Sequence, residues 1–154
     1  MNGDDNLNSV LTQIKENGKA YFYTKGVSMK PMLKENRDIS VLVPKSREPR
    51  LGDVVLFVRP SKDNQLVLHR IIGRRKDGAY IIRGDNTYIN EPVKPENVLA
   101  LLEGFFRKGR YFDCEKSRRY RVYTALRRLT YPLRKVLIYF PLRAAAVIKH
   151  KVFK

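Results

Sequence analysis

The spacing of apolar positions changes twice along the chain. Leu7, Val10, Leu11 and Ile14 recur at helical intervals and Gly18 follows as a stop signal, which predicts a helix over about residues 6–17. The period then shortens. Tyr21 to Tyr23, Ile39 to Val43, Val54 to Val58, Leu66 to Ile72, Ala79 to Ile82 and Val98 to Phe106 are short runs of β-branched, leucine and aromatic residues. Between them stand Gly52-Asp53, the segment 60–64, Lys76-Asp77-Gly78 and Gly84-Asp85-Asn86, all turn chemistry. Six short strands stabilise one another by closing on a shared core. The expected fold is therefore mainly β: a small coiled-sheet or barrel-like domain over residues 1–106 with a short N-terminal helix. From Tyr120 the helical period returns. Val122, Leu126, Leu129, Leu133, Val136 or Leu137, and Phe140 form an apolar stripe, with Arg121, Arg128 and Lys135 on the other side. Pro132 should kink or split this helix.

Charge sharpens that division. The net charge is +17 over 154 residues; residues 107–154 hold 15 Lys/Arg against 2 Asp/Glu, and residues 1–106 hold 17 against 13. A nearly balanced body is thus followed by a basic amphipathic tail. Three settings suit the tail. It packs on the body with its arginines solvated. It lies on an anionic membrane surface through residues 117–154, each basic residue near the surface adding ~1 kcal/mol. Or it binds nucleic acid, for which the body offers neither a helix-turn-helix nor a stacking-aromatic motif. His150, between Lys149 and Lys151, is expected to be solvated. The single Cys114 excludes an internal disulfide framework and, beside Asp113 and Glu115, lacks an activating cation and base. No Cys/His cluster has metal-ligand spacing, so neither a metal nor a cofactor is expected. Asp4 and Asp5 stand where a signal peptide carries positive charge, and no apolar run reaches the ~18 residues of a spanning helix. A cytoplasmic protein, peripheral at most on the inner face of the membrane, is expected.

Candidate chemistry concentrates in three places. Ser28 lies between Gly26 and Pro31, a turn-permitting glycine and a φ-fixing proline, so its hydroxyl is presented on a stiff bend. His69, one of two histidines, shares a strand face with Val67 and Ile71; partial burial keeps an imidazole neutral and suits it to act as a base. The strand alone favours the plainer reading, a core histidine satisfied by one hydrogen bond. Asp85 ends the following strand, where an aspartate commonly satisfies the backbone of a hairpin end. If the two strands pair, imidazole and carboxylate lie on neighbouring strands, a spacing that allows a Ser–His–Asp relay.

The segment Gly26-Val27-Ser28-Met29-Lys30-Pro31-Met32-Leu33 resembles the Ser-Met-x-Pro box of type I signal peptidases. Gly52-Asp53-Val54-Val55 resembles their Gly-Asp-x-Val strand, and His69-Arg70-Ile71-Ile72 with Arg83-Gly84-Asp85-Asn86 resembles their last two boxes. The four boxes stand in order over residues 26–86. Histidine at position 69, where most bacterial members carry lysine, is similar to the endoplasmic-reticulum and archaeal branch. The resemblance implies Ser28 as nucleophile, His69 as general base and Asp85 as orienting carboxylate, with Gly26, Met29, Pro31, Asp53, Arg70 and Gly84 in support. It also implies an oxyanion hole made partly from the Ser28 N–H. Self-cleaving repressors belong to the same wider clan. The chain departs from the pattern at Gly26, where many bacterial members have a serine; at Met32, in place of threonine; and at Arg37, in place of the glycine before Asp38. The expected function is a serine endopeptidase that removes a leader or signal-like segment from a precursor polypeptide through an acyl-enzyme. Two alternatives belong to other classes: a catalytically idle peptide- or membrane-binding member of the fold, and a self-cleaving DNA-binding regulator. The regulator needs a reading domain that the roughly 20 residues before the first strand do not supply.

Overall fold

A computed structural model of the chain describes residues 3–59, 62 and 64–141. Helix α1 (Gly3–Asn17) ends as Gly18 takes φ +68° and its N–H bonds the Ile14 carbonyl at 2.9 Å. Eight strands follow: β1 (Ala20–Tyr23), β2 (Asp38–Pro44), β3 (Val54–Arg59), β4 (Gln65–Arg74), β5 (Tyr80–Arg83), β6 (Glu91–Val93), β7 (Val98–Arg107) and β8 (Arg110–Asp113). They form one antiparallel sheet in the order β1-β2-β7-β3-β4-β5-β6, with β8 paired to β7. The sheet thus continues beyond residue 106, to Asp113.

The expected barrel-like, mainly β fold does not hold. The sheet is open, with β1 and β6 at the ends of its order, and helices at both ends of the chain make the fold a mixed one of α and β. The reason lies in how the apolar runs are used. The first four residues of β3 are all buried, so its two faces serve two cores. Val54 and Leu56 join Leu42, Leu68, Ala100 and Leu102 in one core, which Val10 of α1, the buried Met29, Met32 and Leu33, and the flanks of Tyr120 and Tyr123 complete. Helices and a loop cover that face, so closure is not needed to exclude water from it. Val55 and Phe57 join Ile71, Tyr80, Ile82, Val93, Val98 and Leu101 in the other core. Every buried member of this second core lies in a strand, so the sheet curls over that face without closing.

Helix α2 (Arg118–Leu129) starts at Ser117, whose Oγ accepts the Tyr120 N–H at 3.2 Å. The chain breaks at Thr130 and resumes as α3 (Tyr131–Arg134), with Pro132 in its first turn, and a π-helical turn Lys135–Tyr139; Pro132 therefore splits the helix. The face turned to the body carries Tyr120, Tyr123 and Thr124. The apolar stripe Val122, Leu126, Leu129, Leu133, Val136 and Leu137 stays exposed, Leu129 to 75%. Residues 142–154, which include His150 and the end of the expected tail helix, lie outside the described residues. Among the described residues no helix is long and apolar enough to cross a membrane.

Candidate active site

The Ser28 segment is a run of turns anchored from below. Met29 (1% exposed), Met32 and Leu33 sink into the core, while Lys30 N–H bonds the Val27 carbonyl at 3.1 Å and Leu33 N–H the Met29 carbonyl at 2.9 Å. Gly26 takes φ +82°, a conformation that side chains resist. Pro31 is exposed and packs nothing in the core. Ser28 is half-buried, and its carbonyl accepts the Asn86 N–H at 2.7 Å, which ties the serine loop to the turn after β5. The departure at Arg37 has a structural use: its guanidinium bonds the buried Asp38 carboxylate and the Met32 carbonyl, clamping the end of the serine segment.

Gly84 is where serine and histidine segments meet. A Cβ at this position would stand 2.7 Å from the Ser28 carbonyl oxygen and 2.9 Å from His69 Nε2, so only glycine admits both neighbours. Ser28 and His69 line one cleft of about 1320 Å³ together with Tyr23, Phe57, Arg59 and Glu91. His69 is 4% exposed, its ring tilted against Phe57 with centroids 6.0 Å apart. Burial pushes its pKa below the usual 6.5; the Glu91 charge opposes that shift and Arg59 reinforces it. His69 Nδ1 stands 3.1 Å from Glu91 Oε1, at ion-pair distance without an aligned hydrogen bond. Arg59 Nε holds the other Glu91 oxygen at 2.6 Å.

Asp85 points elsewhere. Its carboxylate takes Arg70 Nε and Nη2 in a bidentate pair, both at 2.8 Å, and the Tyr123 hydroxyl at 2.9 Å. Burial raises its pKa, but the Arg70 bonds and charge outweigh it and hold the carboxyl below its ordinary value. The buried Arg70 also bonds the Gly52 carbonyl (2.7 Å), Tyr120 (3.0 Å), Thr124 (3.2 Å) and Met32 Sδ (3.0 Å). It fastens β4, the Gly52 turn, the serine segment and α2 to one another. Strand alternation explains the split. Arg70 pairs across the hairpin with Arg83, so Asp85, two residues on, follows the Arg70 face and Gly84 follows the His69 face. Asp53 is bound by Arg47 Nη1 at 2.6 Å and the Arg50 N–H at 2.8 Å, a turn-closing role away from the Ser28 cleft. Cys114 is buried, and burial pushes its thiol up to about 12, leaving it unreactive.

The structure thus brings Ser28, His69 and Gly84 together, keeps Asp85 with Arg70, and adds Glu91 and Arg59. Glu91 escaped the sequence reading because Glu91-Pro92-Val93 is a three-residue strand containing proline. Among the described residues no group of three or more His, Cys, Asp and Glu is placed to hold a metal ion. Neither the models of known protein families nor the curated proteins contain a match to this chain.

Proposed function

We propose that the protein is a serine endopeptidase of the signal-peptidase kind, with Ser28 as nucleophile and His69 as general base. The observation that carries this reading is the glycine-permitted approach at Gly84, which sets His69 Nε2 and the Ser28 backbone on the same side of one residue. A neutral, buried imidazole with Nδ1 beside a carboxylate has Nε2 free to accept the Ser28 proton. Ser28 Oγ attacks the scissile carbonyl and His69 takes its proton; the imidazolium then protonates the departing amine as the C–N bond breaks. Water, deprotonated by the same imidazole, hydrolyses the acyl-enzyme ester. In this reading Glu91, at ion-pair distance from Nδ1, stabilises the imidazolium, a role the family resemblance implies for Asp85. Arg70 and Asp85 build the wall behind the site.

The substrate is an extended precursor segment. Tyr21, Phe22 and Tyr23 of β1 and Glu91, Pro92 and Val93 of β6, the strands at the two ends of the sheet order, line the same cleft as Ser28. Free strand edges are suited to pair a peptide backbone. The exposed stripe of α2 and α3 and the arginines beside it support a peripheral seat on an anionic bilayer, a charge that the cytoplasmic leaflet carries. A library of leader-like and signal-like peptides tests the chemistry: wild type cleaves a subset, while Ser28→Ala and His69→Ala do not. Cleavage that survives both substitutions overturns the assignment.

A further inference from the structure

A second cavity lies at the seam between α2 and the body, distinct from the Ser28 cleft, with a volume of about 370 Å³. Eight arginines and three carboxylates line it. Asp53 is engaged by Arg47 and Asp85 by Arg70. The other six arginines, Arg50, Arg83, Arg121, Arg127, Arg128 and Arg134, form no ion pair with a carboxylate of the described residues. Glu115 is the one lining carboxylate outside an arginine pair, and the charge of Asp85, already paired with Arg70, also reaches Arg83 and Arg134. Several are held in fixed positions. Arg83 lies over the Tyr131 ring and donates to Asn90 Oδ1 at 3.2 Å. Arg134 donates to the Arg127 carbonyl at 2.9 Å, and both Arg127 and Arg134 donate to the Asp85 carbonyl. Arg127 Nε is buried with no hydrogen-bond partner. Burial and then neighbouring positive charge hold the pKa of Arg134 below its ordinary value, and burial does the same at Arg83 with Arg134 adding to it.

Like charges fixed together in a cavity, with a buried donor left unbonded, repel one another unless an anion joins them. Guanidinium groups match the oxygens of a phosphate with paired N–H donors. We infer that this seam is a binding site for a phosphate-bearing anion, with Arg121, Arg127, Arg128 and Arg134 of the helical tail closing on it against Arg50 and Arg83 of the body. The ligand phosphate comes from a lipid headgroup or from a free phosphate compound. The site stands apart from the peptidase chemistry, and binding alone tests it.

Isothermal titration of the full chain with inorganic pyrophosphate is compared between wild type, Arg121→Gln/Arg128→Gln, and Lys15→Gln/Lys76→Gln as an equal-charge control. Both substituted pairs are exposed, so folding, followed by thermal melting, is unchanged. Wild type and control bind alike, and the arginine variant binds about tenfold more weakly or worse. Flotation with phosphatidylcholine vesicles, with and without phosphatidylglycerol, separates the sources. Binding to the anionic vesicles that pyrophosphate displaces identifies a headgroup; pyrophosphate binding without such displacement identifies a free phosphate ligand. Equal weakening in the lysine control, binding of neither probe, or retention of an oligonucleotide that pyrophosphate does not displace overturns the inference.

Discussion

At His69 the surroundings of one ring decide what the site does. Its pKa is lowered first by burial, so between the unfolded value of 6.5 and the lower folded value the unfolded chain binds the extra proton. Stability from this group is therefore full above 6.5 and falls as the pH drops toward the folded pKa. The proposed peptidase activity needs the neutral imidazole and should keep its acid limb below 6.5. Glu91 raises the His69 pKa, so Glu91→Gln should move that limb to still lower pH while reducing kcat about tenfold or more through loss of imidazolium stabilisation. A pH–rate profile checks both shifts; an unmoved limb assigns Glu91 a purely structural place. Gly84→Ala forces a methyl against the Ser28 carbonyl and His69 Nε2 and should abolish cleavage while costing about 1–3 kcal/mol in denaturant unfolding. The residues of this site were legible as types. Ser28 and His69 stood out by turn chemistry and alternation, and Gly84 by its box. The contact Asp85 makes was not legible: it follows the Arg70 face of the hairpin while His69 lies on the opposite face, which alternation and register decide together.

Among the elements, the N-terminal helix, six strands and the break at Pro132 were legible from period and turn residues. The strands β6 and β8 were not. One contains proline, and the other has four residues, three of them exposed, whose pairing comes from β7 rather than from local pattern. Barrel closure was the larger error: short strands were expected to close on one shared core, whereas helices and the serine segment cover one face of an open sheet. The ends of β2 and β7 are joined by charge. Asp38, with no exposed side chain, takes Arg107 Nε at 2.9 Å and Arg37 Nε at 2.9 Å. Burial pushes its pKa up, but bonds from Arg107, Arg37 and the Lys34 N–H outweigh it and bring it to about 2. Because the folded pKa lies below the unfolded 3.8, this contribution is present above pH 4 and is lost as pH falls toward 2. Acid unfolding of Asp38→Asn should be less steep over that window, with the neutral-pH stability lower by about 3 kcal/mol, as urea titrations at pH 7 and pH 3 would show.

In the whole molecule the two ends of an open sheet border the Ser28 cleft, and the tail covers the opposite wall while turning its apolar side outward. The tail packs on the body through tyrosines and arginines, and its apolar stripe is exposed rather than turned inward. An exposed stripe of this length beside arginines suits a bilayer surface. Leu126→Ser with Leu129→Ser and Leu133→Ser should abolish sedimentation with phosphatidylglycerol vesicles and leave melting unchanged, since all three side chains are exposed. Pelleting equal to wild type removes the membrane from the account.

In the proposed reaction Ser28 attacks a peptide carbonyl with His69 as its base. Its most direct test is acid quenching of the enzyme with cleaved library peptides, followed by intact-mass and fragment analysis. An acyl fragment linked to Ser28, absent from Ser28→Ala and formed far more slowly by His69→Ala, is the predicted result. Cleavage without any Ser28-linked fragment, or an unchanged rate of acylation in His69→Ala, contradicts it.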